Sequence, residues 1–91
     1  MSVRVNIFYP KVQQYTNNQD IVEVEGSTVG ECLSDLVRRF PGVEKWLFNE
    51  RGQLLEHVFV YINAESASKA TLTEPVKDSD ELILAVLITG G

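Results

Sequence analysis

The chain has 91 residues, enough for one domain with a real core and no need of cross-links. Its 44% hydrophobic and 23% charged residues are ordinary for a folded protein and argue against disorder, and a net charge of −5 disfavours nucleic acid and anionic membrane surfaces as partners. A single cysteine closes no internal disulfide, and with only one histidine beside it no zinc site is expected.

At the start, Val3, Val5 and Ile7 alternate with Arg4, Asn6 and Phe8, the period of a half-buried strand. No long apolar core precedes them, so a signal peptide is not expected and the protein reads as cytoplasmic. Pro10 should end the strand, leaving Lys11 to Asp20 as a long polar connection in a hairpin. Ile21 to Val24 is the returning strand, closed by Gly26.

The period then changes. Thr28 suits a helix N-cap, with Glu31 completing a capping box. Val29, Cys32, Leu33, Leu36, Val37 and Phe40 follow on one apolar face, and Pro41-Gly42 should stop the helix. Val43 to Phe48 reads as a short turn placing Trp46 or Leu47 against the core, and Asn49 to Gly52 as a turn. Val58, Val60 and Ile62 alternate with Phe59 and Tyr61 in a third strand. Asn63 to Thr73 is a polar connection of small residues, and Asp78 to Glu81 is a turn.

Leu82 to Ile88 is an apolar run with the length of a buried strand, followed by Thr89, Gly90 and Gly91. It is far shorter than the ~20 residues of a membrane-spanning helix. The whole reads as an α+β domain over residues 1–91, a mixed sheet of four or five strands on one main helix, with a flexible tail from about 88 to 91. If the last strand lies beside the first, the two are parallel.

Three stretches resemble the ubiquitin-like β-grasp sulfur carriers of the MoaD and ThiS families. These are Thr28 to Leu36, Val60-Tyr61-Ile62-Asn63, and Val76 to Leu82 followed by Gly90-Gly91. Two departures stand out. Ser79 occupies a position where the family commonly has glycine, and no proline precedes the tail. The length, the long first loop and His57 to Asn63 look closest to carriers serving cysteine or homocysteine synthesis.

The resemblance implies a mechanism. A MoeB/ThiF-like enzyme adenylates the Gly91 carboxylate with ATP, sulfur displaces AMP, and the resulting thiocarboxylate passes its sulfur to a synthase. The carrier itself needs no bound cofactor, no metal and no catalytic residue. Gly90 and Thr89 form the tail. A ubiquitin-like modifier using the same diglycine, or a plain β-grasp binding module, is the alternative.

Alternation also locates a docking face. Leu82 and Leu84 should face the core, leaving Ile83, Ala85 and Leu87 on the open side of the sheet beside Phe59 and Tyr61. Such an exposed apolar patch marks an interaction surface unless another segment, Trp46-Leu47-Phe48 for example, covers it. Cys32 is expected to be a buried structural thiol, and His57 a surface residue with no evident partner. Asp78 and Asp80 resemble the start of a calcium loop, but Ile83 and Thr89 stand where such a loop requires glycine and glutamate. Lys11, Lys45, Lys69 and Lys77 read as solvated surface.

Overall fold

The computed structural model describes residues 2–63 and 69–86. Four strands form one sheet in the order β2-β1-β4-β3: β1 is Ser2–Phe8, β2 is Ile21–Glu25, β3 is Val58–Ile62 and β4 is Glu81–Val86. β1 pairs antiparallel with β2 and parallel with β4, and β4 pairs antiparallel with β3. β4 therefore runs in the interior of the sheet, hydrogen-bonded on both sides.

Alternation puts Val3, Val5, Ile7, Val22, Val24, Val58, Val60, Leu82 and Leu84 on the buried face. The main helix lies across that face and is the second of three α-helices in chain order, flanked by two short ones: α1 is Pro10–Gln13, α2 is Val29–Arg39 and α3 is Glu44–Leu47. Val29, Cys32, Leu33 and Leu36 of α2 are sealed in the core, so Cys32 is the structural thiol its position on the helix implies. Burial raises its pKa, and the carboxylates of Glu31 and Asp35 add to the effect.

The helix starts as its sequence predicts, with one change. The Thr28 hydroxyl accepts the Glu31 N–H at 3.1 Å, but the reciprocal arm of Glu31 reaches the N–H and hydroxyl of Ser27, both at 2.8 Å, rather than the N–H of Thr28. The remaining first-turn donors find carbonyls across the chain: Val29 N–H meets Glu74 O at 2.9 Å and Gly30 N–H meets Leu72 O at 2.8 Å. The connection after β3 is thus tied down over residues 70–76 and inserts Val76 into the core; the sequence reading has a polar connection over residues 63–73 and gives Val76 no place in the core. Gly26 is needed where β2 meets the helix, since a Cβ there would lie 2.7 Å from Cys32 N.

Pro10 behaves differently from expectation. Proline has no N–H to lose at a helix start, so it opens α1 instead of merely ending β1. Val12 of α1 enters the core, and Thr16 is buried with its hydroxyl between Gln13 O and Gln19 O. Pro41 likewise opens a 3₁₀ turn, Pro41–Val43, that leads into α3. Leu47 of α3 is fully buried, and Trp46 and Phe48 pack half-buried against the core cluster.

Candidate functional site

The face of the sheet opposite α2 carries the candidate site. The strand register sets its residues in rows. Ile21, Asn6, Ile83 and Tyr61 stand side by side across the four strands. In the next row, Phe8, Ala85 and Phe59 are neighbours on β1, β4 and β3. Glu23, Arg4 and Glu81 form the row on the other side. The face is therefore apolar towards the end of β4 and charged towards its start.

Exposure differs along these rows. Phe8 is 64% exposed and Ile21 51%, whereas Phe59, Tyr61, Ile83 and Ala85 are half-buried by their neighbours. The Lys69 ammonium sits 4.7 Å from the centre of the Phe59 ring. The segment Trp46 to Phe48 packs against the core cluster, with Leu47 wholly inside it.

Phe59, Tyr61, Ile83 and Ala85 are thus brought together on one surface, in adjacent rows. Leu87, Thr89, Gly90 and Gly91 lie outside the described residues. Two large members of the face, Phe8 and Ile21, were not singled out by the sequence reading. The signal was present: Phe8 alternates with the core residues Val5 and Ile7, so a strand that buries these must expose Phe8.

The charged end is held by side chains that fix the entry to β4. Asn63 adopts φ 65° and bridges to the strand's first residues: its Oδ1 accepts Glu81 N–H at 3.0 Å, its own N–H reaches Glu81 O at 2.7 Å, and its Nδ2 reaches Asp80 at 3.2 Å. Asp80 accepts Lys77 N–H at 2.8 Å, and this bond with that from Asn63 lowers its pKa. Asp78 takes Ser2 N–H at 3.0 Å. Both aspartates are thus engaged by the fold, and among the described residues no group of three His, Cys, Asp or Glu side chains is placed to hold a metal. Ser79 adopts φ 73°, the conformation for which glycine is the favoured residue.

At the opposite end, where β4 reaches Val86, His57 precedes β3. Its Nε2 lies 3.4 Å from the hydroxyl of buried Tyr9, and the rings meet edge to face. His57 is exposed as expected, but it has a partner that the sequence did not reveal. Burial raises the Tyr9 pKa.

The arrangement is an apolar sheet face beside the interior strand β4, with a charged row at the start of that strand. Among the described residues no helix is long and apolar enough to cross a membrane. Comparison with known proteins agrees with the architecture. Small archaeal modifier protein 1 of Haloferax volcanii is 38% identical over 71 residues, covering 77% of this chain and 78% of the relative. Its crystal structure superposes with a TM-score of 0.85 at 30% identity over the full length of both chains. The sulfur carrier protein CysO of Mycobacterium tuberculosis is 28% identical over 95 residues, spanning both chains completely. CysO of Amycolatopsis orientalis, solved in complex with BexX, matches with a TM-score of 0.82 at 28% identity, over 98% of this chain and 99% of that one. The ThiS family model matches residues 6–91, and the chain belongs to the ThiS family of β-grasp proteins.

Proposed function

We propose that this protein is a sulfur carrier rather than an enzyme, with Gly91 as the point of attachment. The observation that carries the reading is the course of β4. This interior strand heads towards Gly90-Gly91 at the end of the sheet where the open face is most apolar. A partner seated on Phe8, Phe59, Tyr61, Ile83 and Ala85 would lie beside the end of β4, from which the chain continues to Gly91.

The chemistry then belongs to the partners. The Gly91 carboxylate attacks the α-phosphorus of ATP in a MoeB/ThiF-like enzyme, forming an acyl adenylate and releasing pyrophosphate. A sulfur nucleophile displaces AMP to leave a thiocarboxylate. That group remains nucleophilic near neutral pH and delivers sulfur to a synthase of cofactor or amino-acid biosynthesis. Thr89 and Gly90 supply a slim approach with little side-chain bulk. The likeness to two CysO proteins supports the carrier role.

The likeness to a protein modifier favours a second reading, conjugation of the same activated tail to lysines. Intact-mass measurement decides between them after incubation with an adenylating enzyme, ATP and a sulfur source. A gain equal to one oxygen replaced by sulfur, located at Gly91, is expected for the carrier. Lysine-linked conjugates in extract with no thiocarboxylate would make the protein a modifier, and full activity after removal of Gly91 would refute both.

A further inference from the structure

A second feature lies at the same end of the molecule and has no part in the sheet face. α1 follows β1, and β1 runs parallel to β4, so Lys11 stands at the end where β4 runs out. α2 begins at the far end, where Thr28 bridges Pro75, and its C-terminus leads through the 3₁₀ turn to α3, close to Lys11. Here Lys11 Nζ lies 5.7 Å from the centre of the Trp46 ring. Lys45 Nζ lies 5.7 Å from the same ring and 5.6 Å from that of Tyr15. Tyr15 is 38% exposed and rests directly on Gly42, where a Cβ would come within 2.4 Å of its ring.

These four side chains form a ledge that is both aromatic and positive, on a protein of net charge −5. The lysines are held over rings, so part of the entropy cost of fixing them is met before any partner arrives. The indole N–H of Trp46 is shielded from solvent and faces the Tyr15 hydroxyl without a bond of full hydrogen-bond geometry. The indole and the Lys45 charge together pull the Tyr15 hydroxyl below its ordinary range. The chief neighbouring acid on α3 is Glu44, which is exposed. The opposite end of the molecule is acidic, with Glu23, Asp78, Asp80 and Glu81 around the start of β4. An acidic surface is repelled there and drawn to the ledge.

We propose that the Lys11–Trp46–Lys45–Tyr15 ledge grips an acidic protein segment, Asp and Glu side chains on the rim of the enzyme that receives the tail. This identity of the occupant rests on the carrier reading above. The two ammonium groups pair with carboxylates. The sheet face then supplies apolar contact, and the ledge supplies orientation and rate of encounter.

The chain has one tryptophan, so Trp46 emission reports on the ledge directly. Titration of the full chain with octaglutamate at low ionic strength should give a saturable change, lost in the K11E/K45E double variant and kept in K77E, whose charge lies at the far end. Far-UV circular dichroism checks that the variants are folded. In stopped-flow mixing with a MoeB/ThiF-like adenylating enzyme, K11E/K45E should associate about tenfold more slowly, a gap that closes as salt rises. An unchanged double variant, an equal loss in K77E, or an equal response to a single-stranded oligonucleotide would overturn the proposal. Pyrophosphate release separates the two readings. If the wild-type chain supports it while K11E/K45E associates at the wild-type rate, the ledge proposal alone fails. If the wild-type chain does not support it, the carrier reading and the identity of the occupant fail together, and the peptide titration still decides whether the ledge binds acidic chains.

Discussion

Replacing Asp35 with Asn should destabilise the protein by about 2 kcal/mol at neutral pH, and the loss should disappear in acid. Asp35 lies on α2 and is only 6% exposed. Burial alone would raise its pKa, but its carboxylate accepts Glu25 N–H at 2.8 Å, Arg39 Nε at 2.8 Å and Arg38 Nε at 2.9 Å, with Arg38 Nη2 as a further donor. The donors win, and the pKa falls from 3.8 to about 2. At about 1.4 kcal/mol per unit the shift corresponds to roughly 2.5 kcal/mol, and exposure of the arginines trims it to about 2. Asn keeps an acceptor for the Glu25 N–H but turns an amide N–H₂ towards a guanidinium.

The sign follows from the depressed native pKa. The carboxylate's contribution is complete above its unfolded value of 3.8 and is lost as pH falls through about 2. Urea unfolding followed by Trp46 emission, at a series of pH values, measures the gap between wild type and D35N. The gap should be steady above about pH 5 and close between about pH 4 and pH 2. At neutral pH the melting temperature should fall on the order of 10 °C. A gap absent at neutral pH, or one that persists unchanged at pH 2, would refute the reasoning.

Three further outcomes are expected. Thr28→Ala removes the acceptor for Glu31 N–H and should cost about 1 kcal/mol, read as a lower urea midpoint with unchanged slope. Ser79→Gly relieves a side chain at φ 73° but gives the unfolded chain more freedom; the net should be a gain of about 0.5 kcal/mol, and a less stable variant would contradict it. Phe8→Ser alters a side chain that is 64% exposed, so stability should move by no more than about 0.5 kcal/mol while adenylation slows at least about tenfold. An undiminished rate would remove the open face from the docking surface.

The strands and the main helix were legible because each has one buried face, and burial imposes a period of two or of about 3.6 on the sequence. Val3, Val5, Ile7, Leu82 and Leu84 declare their direction by position alone. Features set by distant partners were not legible. Val76 looks like a loop valine until Ser27 O takes its N–H at 3.0 Å and draws it under the helix. Tyr9 and His57 are 48 residues apart, and only the parallel course of β1 and β4 brings their segments to one end. Pro10 misled because its missing N–H suits both the end of a strand and the start of a helix. On the open face, Phe59, Tyr61, Ile83 and Ala85 followed from alternation. Phe8 and Ile21 follow from the same rule, applied to β1 and β2.

The interior position of β4 has a mechanical consequence. A protein that pulls on residues beyond Val86 pulls along a strand paired at five register positions with β1 and at five with β3. The load falls across both ladders together, in shear, so the bonds must fail as a group rather than peel one at a time. A pull applied beyond Val86 is thus resisted by two ladders at once, and the sheet should hold together under a force that would peel an edge strand away.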